Sequence, residues 1–229
     1  MKSCKEALEV VSITTITHKS VNCYLLKNGK KFLLIDTGFS DKRHEIERDS
    51  KEGGCNSENL QLIVLTHGDT DHCGNCKYLR DKFEVKVAMH EGDSVIAEKG
   101  DMKYNRKDDP DKYSPFFRIM SFFGKEGDFE RFKPDLYKEG GDSLNQYDFN
   151  ASILHLPGYS AGSIGILTQD GDFFCGDLFV NITKPHLHYL IDDLAKAKEN
   201  VKELKEKNIQ MVYPGHGKPF PFSKLSEKL

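Results

Sequence analysis

No sign of charge dominates this chain: its 33 basic and 36 acidic residues are interspersed, and the formal net charge is −3. A basic face for nucleic acid or for an anionic membrane surface is therefore not expected. Also missing is any apolar run long enough to cross a bilayer, and the opening MKSCKEALEV puts Lys and Glu where a secretory segment would be apolar. The expectation is a soluble, cytoplasmic protein that meets a small-molecule substrate, with neither nucleic acid nor membrane as partner. A disulfide framework is absent too. The six cysteines, Cys4, Cys23, Cys55, Cys73, Cys76 and Cys175, fall at irregular intervals, so reduced thiols are the default. Nor is there an internal repeat, a low-complexity tract or a linker. The 229 residues read as one domain, 1–229, long enough to bury a core without staples.

What the chain does carry is concentrated between Leu62 and Asn75, LIVLTHGDTDHCGN. Ile63, Val64 and Leu65 read as a buried strand, too short and too β-branched for a helix, and polar residues begin where that strand would end. Four potential metal ligands follow within six residues: His67, Asp69, Asp71 and His72. A turn containing Gly68 and Gly74 can point His67, Asp69 and Asp71 in one direction. Mixed imidazole and carboxylate donors suit Zn, Fe or Mn rather than Ca or Mg. Two His and two Asp so close behind a strand exceed what a solvated surface loop usually carries.

Glu9 to Thr17 reads as a first strand, and Val21 to Lys27 with Lys31 to Asp36 as a hairpin turned at Asn28-Gly29. Asp36-Thr37-Gly38 ends this meander. Ser40 is the expected cap of a helix running to about Lys51, where Gly53-Gly54 stops it. Behind the ligand loop, Cys76 to Phe83 predicts a helix and Val85 to Met89 a strand, a βαβ alternation. From Glu91 to about Gly141 the alternation gives way to polar, Gly-punctuated sequence with the pairs Phe116-Phe117 and Phe122-Phe123 and a charged run from Arg106 to Asp111. Long aperiodic segments in compact domains are usually functional, so 91–141 is expected to be an insertion near the active site. Its four Phe either cover the site or anchor the insertion to the core. Strands resume at Ser152 to Leu156, Ile164 to Thr168 and Asp172 to Cys175, the last two joined through Asp170-Gly171. A stripe of Leu190, Ile191, Leu194, Ala197, Val201 and Leu204 predicts a long helix on the outside of a sheet, followed by a last strand at Ile209 to Tyr213.

Four of these apolar runs are each followed within a few residues by a possible ligand or by a glycine turn that would present one. Leu62 to Leu65 leads to His67, Asp69, Asp71 and His72; Ile153 to Leu156 leads to Pro157-Gly158-Tyr159; Phe173 to Cys175 leads to Asp177; Met211 to Tyr213 leads to His216. Binding groups are often held on loops at one end of a rigid sheet. In these stretches the chain resembles the metallo-β-lactamase superfamily, across nearly its whole length. That family's H-x-H-x-D-H loop, its Gly-His before Ser/Thr-x-Gly-Ser, its Gly-Asp and its Pro-Gly-His-Gly have counterparts in His67-Gly68-Asp69-Thr70-Asp71-His72, Pro157-Gly158-Tyr159-Ser160-Ala161-Gly162-Ser163, Gly176-Asp177 and Pro214-Gly215-His216-Gly217. The resemblance implies an α/β fold, a four-layer αββα sandwich, with one or two divalent metal ions (Zn, Fe or Mn) as cofactor. It further implies that Asp71, His72 and His216 hold one ion, that His67 holds the other, and that Asp177 bridges both.

Two positions depart from the family's pattern: Asp69 stands where it has its second His, and Tyr159 where it has its third. Aspartate remains a ligand, though shorter and anionic, and tilts the choice toward Fe or Mn. A phenol, with an ordinary pKa of about 10, ligates only as phenolate, which leaves Tyr159 as a metal or pocket residue. The expectation is one ion held firmly at Asp71, His72, Asp177 and His216, and a second held loosely or not at all. The implied chemistry is hydrolysis of a small ester, thioester, lactone or phosphoester by a metal-activated water, with Asp71 orienting that water or moving a proton. The alternatives are an iron-dependent oxidoreductase, because di-iron members of the superfamily carry a carboxylate where Asp69 stands, and a degenerate-site ligand-binding protein. Cys73-Gly74-Asn75-Cys76 has redox spacing and admits a thiol ligand, a redox switch or plain packing. Lys184 to His188 either binds an anionic substrate group or forms a loop outside the ligand shell, and His90 and His155 read as strand residues with hydrogen-bond partners.

Overall fold

Successive residues of the central strands point into different layers, and both layers are apolar. In β1 (Ser12–His18) only Ile16 is buried, but in β2 (Val21–Asn28) Cys23 and Leu25 pack to one side while Tyr24 and Leu26 pack to the other. In β3 (Lys31–Ile35), Phe32 and Leu34 join the first set, and Leu33 and Ile35 the second. A period of two with both faces apolar marks strands covered on both sides. The structure, a computed structural model, describes residues 11–104, 106–107 and 130–225.

After β3 come α1 (Arg43–Glu52), β4 (Leu60–Val64), α2 (Thr70–Cys73), α3 (Cys76–Phe83), β5 (Val87–Met89), α4 (Glu91–Lys99) and β6 (Leu136–Tyr137). The second half supplies β7 (Ala151–His155), β8 (Ile164–Thr168), β9 (Asp172–Asn181), β10 (His186–Leu187), α5 (Leu194–Lys205), β11 (Met211–Gly217) and β12 (Phe220–Pro221). The main path of pairing runs β6-β5-β4-β3-β2-β11-β9-β8-β7. Only one residue pair, His216 with Val21, joins β11 to β2, so this line of strands is two leaves hinged along one edge. Tyr24, Ile35 and Val64 of the first leaf meet Ile153, Ile166 and Phe174 of the second in a shared core. Outside the first leaf, Ile46 of α1 and Leu79 and Phe83 of α3 cover Leu25, Leu34 and Ile63. Outside the second, Ala197, Val201 and Leu204 of α5 cover Phe173, Cys175 and Val212. Three cores between four layers make the αββα sandwich. No helix of the described residues is long and apolar enough to cross a membrane.

Several local features differ from the sequence reading. Ser40 opens a 3-10 turn, Ser40–Lys42, instead of standing at the N-cap of α1; α1 starts behind Lys42, which makes no side-chain cap. The long helix begins at Leu194, four residues later than its apolar stripe suggests. Asp193 caps it by accepting the Lys196 N–H at 3.0 Å, while buried Ile191 packs in the preceding loop. β9 and β11 run on through Asp177 and His216, so those residues lie within strands rather than behind them. Pro214 has no N–H for a ladder, and the register slips on either side of it. Asn22 and Tyr24 then satisfy its carbonyl at 3.0 and 2.6 Å.

Within the expected insertion, residues 91–99 form α4. Its apolar periodicity is hidden in the sequence because it buries Asp93 and Ser94 beside Ile96 and Ala97. The Asp93 carboxylate accepts the Gly68 N–H (3.0 Å), the Ser160 hydroxyl (2.7 Å) and the Gly162 N–H (2.7 Å), tying the ligand loop to the Tyr159 loop. Phe116, Phe117, Phe122 and Phe123 lie outside the described residues.

Candidate metal centre

The chain leaves β4 after Val64 and enters α2 at Thr70, so His67 and Asp69 sit on the connection while Asp71 and His72 lie on the first helical turn. The Asp69 carbonyl starts that turn by accepting the N–H groups of His72 and Cys73, both at 2.9 Å. Gly74 lets the turn nest: a Cβ there would lie 2.5 to 2.7 Å from the Thr70 carbonyl, the Ser40 nitrogen and the Gly38 carbonyl. From the second leaf, β9 brings Asp177, β11 brings His216, and the residue after β10 is His188.

These side chains converge on Asp177. His72 Nε2 lies 3.4 Å from Asp177 Oδ1, and His216 Nε2 lies 3.3 Å from Asp177 Oδ2 and 3.4 Å from Asp71 Oδ2. His188 Nε2 and His67 Nε2 stand 3.6 and 3.9 Å from that same Asp177 oxygen. Three overlapping sets have ligand atoms within 4.8 Å of one another: His67, His72 and Asp177; Asp71, His72 and His216; and Asp177, His188 and His216. Asp69 belongs to none of these sets, and the Tyr159 hydroxyl is turned to Asp69.

Buried polar atoms normally find partners, and leaving one without costs about 1–3 kcal/mol. Yet His67 Nε2, His72 Nε2 and both Asp177 oxygens are buried with no hydrogen-bond partner among the described residues. The space they face is kept open by Gly215, where a Cβ would fall 2.3 Å from Asp177 Oδ1 and 2.5 Å from His72 Cε1. Imidazole nitrogens and carboxylate oxygens around a guarded space fit a divalent transition ion.

The outer nitrogens fix how the rings are presented. His72 Nδ1 donates to Asp36 Oδ2 at 2.8 Å, so that the neutral ring turns its Nε2 lone pair toward Asp177. The Thr66 hydroxyl donates to the same Asp36 oxygen at 2.8 Å, so its own lone pair receives the proton of His67 Nδ1 at 2.9 Å. His67 Nε2 is thereby freed as well. His216 Nδ1 donates to the Ser20 carbonyl at 2.8 Å, with the same result. His188 is arranged the other way: its Nδ1 accepts the Leu190 N–H at 3.2 Å, which places the proton of the neutral ring on Nε2, facing Asp177.

Charge follows this geometry. Burial by itself would raise Asp71, but His72 and His216 outweigh it and hold the carboxyl at about 2. Asp177 is likewise held well below the ordinary range, against burial, by His216 and His72. Burial opposes charge on His216, yet Asp177 and Asp71 push it up to about 10, and Asp177, Asp71 and Asp36 raise His72 in the same way. In His188 burial wins and brings the ring down to about 4.

The side of the cluster toward Asp69 is built differently. Asp69 Oδ1 accepts from Arg106 Nη2 and Asp69 Oδ2 accepts from the Tyr159 hydroxyl, both at 2.7 Å. Arg106 also donates to the Tyr159 carbonyl at 2.8 Å and lies with its guanidinium carbon 4.7 Å from the centre of the Tyr159 ring. Burial, and then the charge of Asp69, raise the Tyr159 phenol well above its ordinary value, so it is a protonated donor.

A sequence profile described as Metallo-beta-lactamase superfamily matches residues 16–216. The chain belongs to that superfamily. Among curated members, the hydroxyacylglutathione hydrolase GloC of Haemophilus influenzae is 28% identical over 73% of this chain and 71% of its own length. The human acyl-coenzyme A thioesterase MBLAC2 is 25% identical over 89% and 75%. The chain spans 61% of the length of the Drosophila melanogaster β-lactamase-like protein 2 homolog that it also matches. Among solved structures, TTHA1623 in a di-iron-bound form is 23% identical, with a TM-score of 0.68 over 96% of this chain and all of that one. That likeness shows the fold.

Against the superfamily motifs, three contributors at this centre escape a motif reading. Asp36 sits in the Asp36-Thr37-Gly38 turn behind β3, and its position at a strand end on the ligand side was the available signal. His188 lies in the Lys184 to His188 stretch, for which the sequence offers an anion-binding role or a place outside the ligand shell, but it stands as near to Asp177 as the motif residues do. Arg106 belongs to a charged run, and nothing in its spacing betrays a contact with Asp69. Cys73 and Cys76 are buried free thiols, Cys73 donating to the Gly68 carbonyl at 3.2 Å, and neither joins a potential metal set among the described residues.

Proposed function

We propose that the protein is a metal-dependent hydrolase acting on a small acyl thioester, or on a related ester, lactone or phosphoester, with an ion held by Asp71, His72, Asp177 and His216. The observation that carries this reading is the group of buried, partnerless ligand atoms around Asp177. A divalent ion there, Zn, Fe or Mn, supplies a Lewis acid for the scissile group and lowers the pKa of a water toward neutrality.

The remaining work falls to the side chains. Asp71 is the least enclosed member of the set, its side chain 23% exposed against 14% for His216 and 1% for Asp177, so it faces incoming substrate. Ionised at neutral pH, it accepts a hydrogen bond from the attacking water and aims that water at the acyl carbon. As the new C–O bond forms and the C–S or C–O bond to the leaving group breaks, Asp71 carries the proton from water to the departing atom. His188, neutral with Nε2–H toward Asp177, steadies that carboxylate. Thioesters come first because relatives named for hydrolysing hydroxyacylglutathione and acyl-coenzyme A match most of the chain. An iron oxidoreductase reading depends on Asp69 as a ligand, and both Asp69 oxygens are engaged by Arg106 and Tyr159.

The test is thiol release from acyl-glutathione and acyl-coenzyme A substrates by protein loaded separately with Zn, Fe and Mn, followed by ester, lactone and phosphodiester panels. Turnover that a chelator abolishes, and that Asp71→Asn lowers about 100-fold or more in kcat, is the expected result. Protein that retains its ion and turns over no class of substrate overturns the reading.

A further inference from the structure

We propose that Arg106 is a built-in cation that takes over, through Asp69, the charge a second metal ion beside His67 would supply, so that this chain holds one ion rather than two. The proposal rests on the preceding reading only in taking the residues around Asp177 to hold an ion.

Arg106 is placed to do this by its backbone and by its partners. Its own N–H donates to the Lys103 carbonyl at 3.1 Å, and the next residue is pinned twice to the loop before α5, Lys107 N–H to Asp192 Oδ1 at 2.8 Å and Lys107 Nζ to Asp193 Oδ2 at 3.3 Å. The guanidinium then reaches Asp69 Oδ1, its side chain and that of Asp69 each only 13% exposed. Asp69 Oδ2 lies 3.8 Å from His67 Nε2, so the carboxylate borders the orphaned nitrogen that a second ion would need. That carboxylate is already neutralised. One oxygen answers a full positive charge and the other a protonated phenol, whose ring has the Arg106 guanidinium over its face at 4.7 Å and meets the His67 ring edge-on at 4.9 Å. An ion entering beside His67 must take Asp69 from Arg106, deprotonate Tyr159 or do without it, and sit near a buried guanidinium of like sign. Repulsion of that kind is screened little in a buried site. On the Asp177 side, among the described residues, Asp71, His72, Asp177 and His216 form ion pairs with one another and with His67, His188 and Asp36, and with no Lys or Arg. The departures at Asp69 and Tyr159 and the arrival of Arg106 thus form one coordinated exchange of a metal for a side-chain charge.

Zinc alone is the probe. Protein stripped with chelator is titrated calorimetrically with zinc chloride, and metal content is read by mass spectrometry after dialysis, for the wild type, Tyr159→His and the Tyr159→His, Arg106→Gln double variant, with circular dichroism as the check on folding. The expected contents are one, one and two equivalents. Any second wild-type site is expected to bind at least about 100-fold more weakly than the first. Two wild-type sites within tenfold of each other overturn the proposal, as do two equivalents in Tyr159→His alone or one in a folded double variant. Should the double variant not fold, the wild-type titration decides. A wild type that binds no zinc removes the metal site itself and so fails the hydrolase reading as well, whereas two tight sites fail only the role of Arg106.

Discussion

Asp36 shows how one carboxylate can set how a ring of the Asp177 cluster is presented. Its Oδ1 accepts the Thr66 N–H at 2.8 Å, and its Oδ2 takes both the Thr66 hydroxyl and His72 Nδ1. In Asp36→Asn an amide nitrogen would face at least one of those donors. The least costly answer is for the His72 proton to move to Nε2, where it blocks the lone pair aimed at Asp177. We expect the variant to fold and to bind zinc about 10–100-fold more weakly, measured by competition with a chromophoric chelator. Unchanged affinity would show that Asp36 does not govern the tautomer. Such roles are faint in a sequence. The convergence of His67, Asp71, His72, Asp177 and His216 was legible because four strand-end motifs repeat one plan, whereas Asp36, His188 and Arg106 matter through three-dimensional contacts across 36, 11 and 37 positions of chain.

At the level of elements, the strands declared themselves wherever β-branched and apolar runs were short and bounded by turns. The Asn28-Gly29 hairpin pairs β2 and β3 with Asn28 opposite Lys31, and α3 spans Cys76–Phe83 as its periodicity predicted. α4 was not legible, because its inward face carries Asp93 and Ser94, polar residues that are buried for the sake of Gly68, Ser160 and Gly162. The ends of β9 and β11 were missed for a related reason: Gly176, Pro214 and Gly215 read as breakers, yet the strands run through them with irregular register. Helix α2 depends on close approach more than on propensity. Gly74→Ala would press a methyl onto three backbone atoms at 2.5 to 2.7 Å, none of which belongs to a flexible side chain. We expect a loss of about 1–3 kcal/mol or more of stability, read as a lower urea midpoint, with the ligand loop displaced. A midpoint within error of the wild type would mean that α2 and the turn at Gly38–Ser40 part easily.

Across the whole molecule, the two leaves meet where their charges would be least tolerable without a cation between them. Asp71 and Asp177 come from opposite leaves, and in metal-free protein it is protons on His72 and His216 that hold them together. The sign of the linkage follows. A histidine whose folded pKa lies above its unfolded value of about 6.5 adds stability that is fully present below that pH and is lost as pH rises through the folded value. For His216 that window runs from about 6.5 to about 10, and His72 titrates in the same direction. Metal-free protein should therefore lose stability between neutral and alkaline pH. Zinc must displace these protons, so at fixed free zinc its apparent affinity, and with it the stabilisation RT ln(1 + [L]/Kd), should grow as pH rises. A hundredfold excess over Kd corresponds to about 2.7 kcal/mol. The measurement is the gap in melting temperature between zinc-buffered and chelator-treated protein at pH 7 and at pH 9, with calorimetry in two buffers of different ionisation enthalpy to count protons released. A widening gap and about one to two protons expelled at pH 7 are expected; a constant gap with no proton release would mean that the imidazoles around Asp177 are already neutral before the ion arrives, and that something other than their charge keeps the carboxylates of the two leaves together.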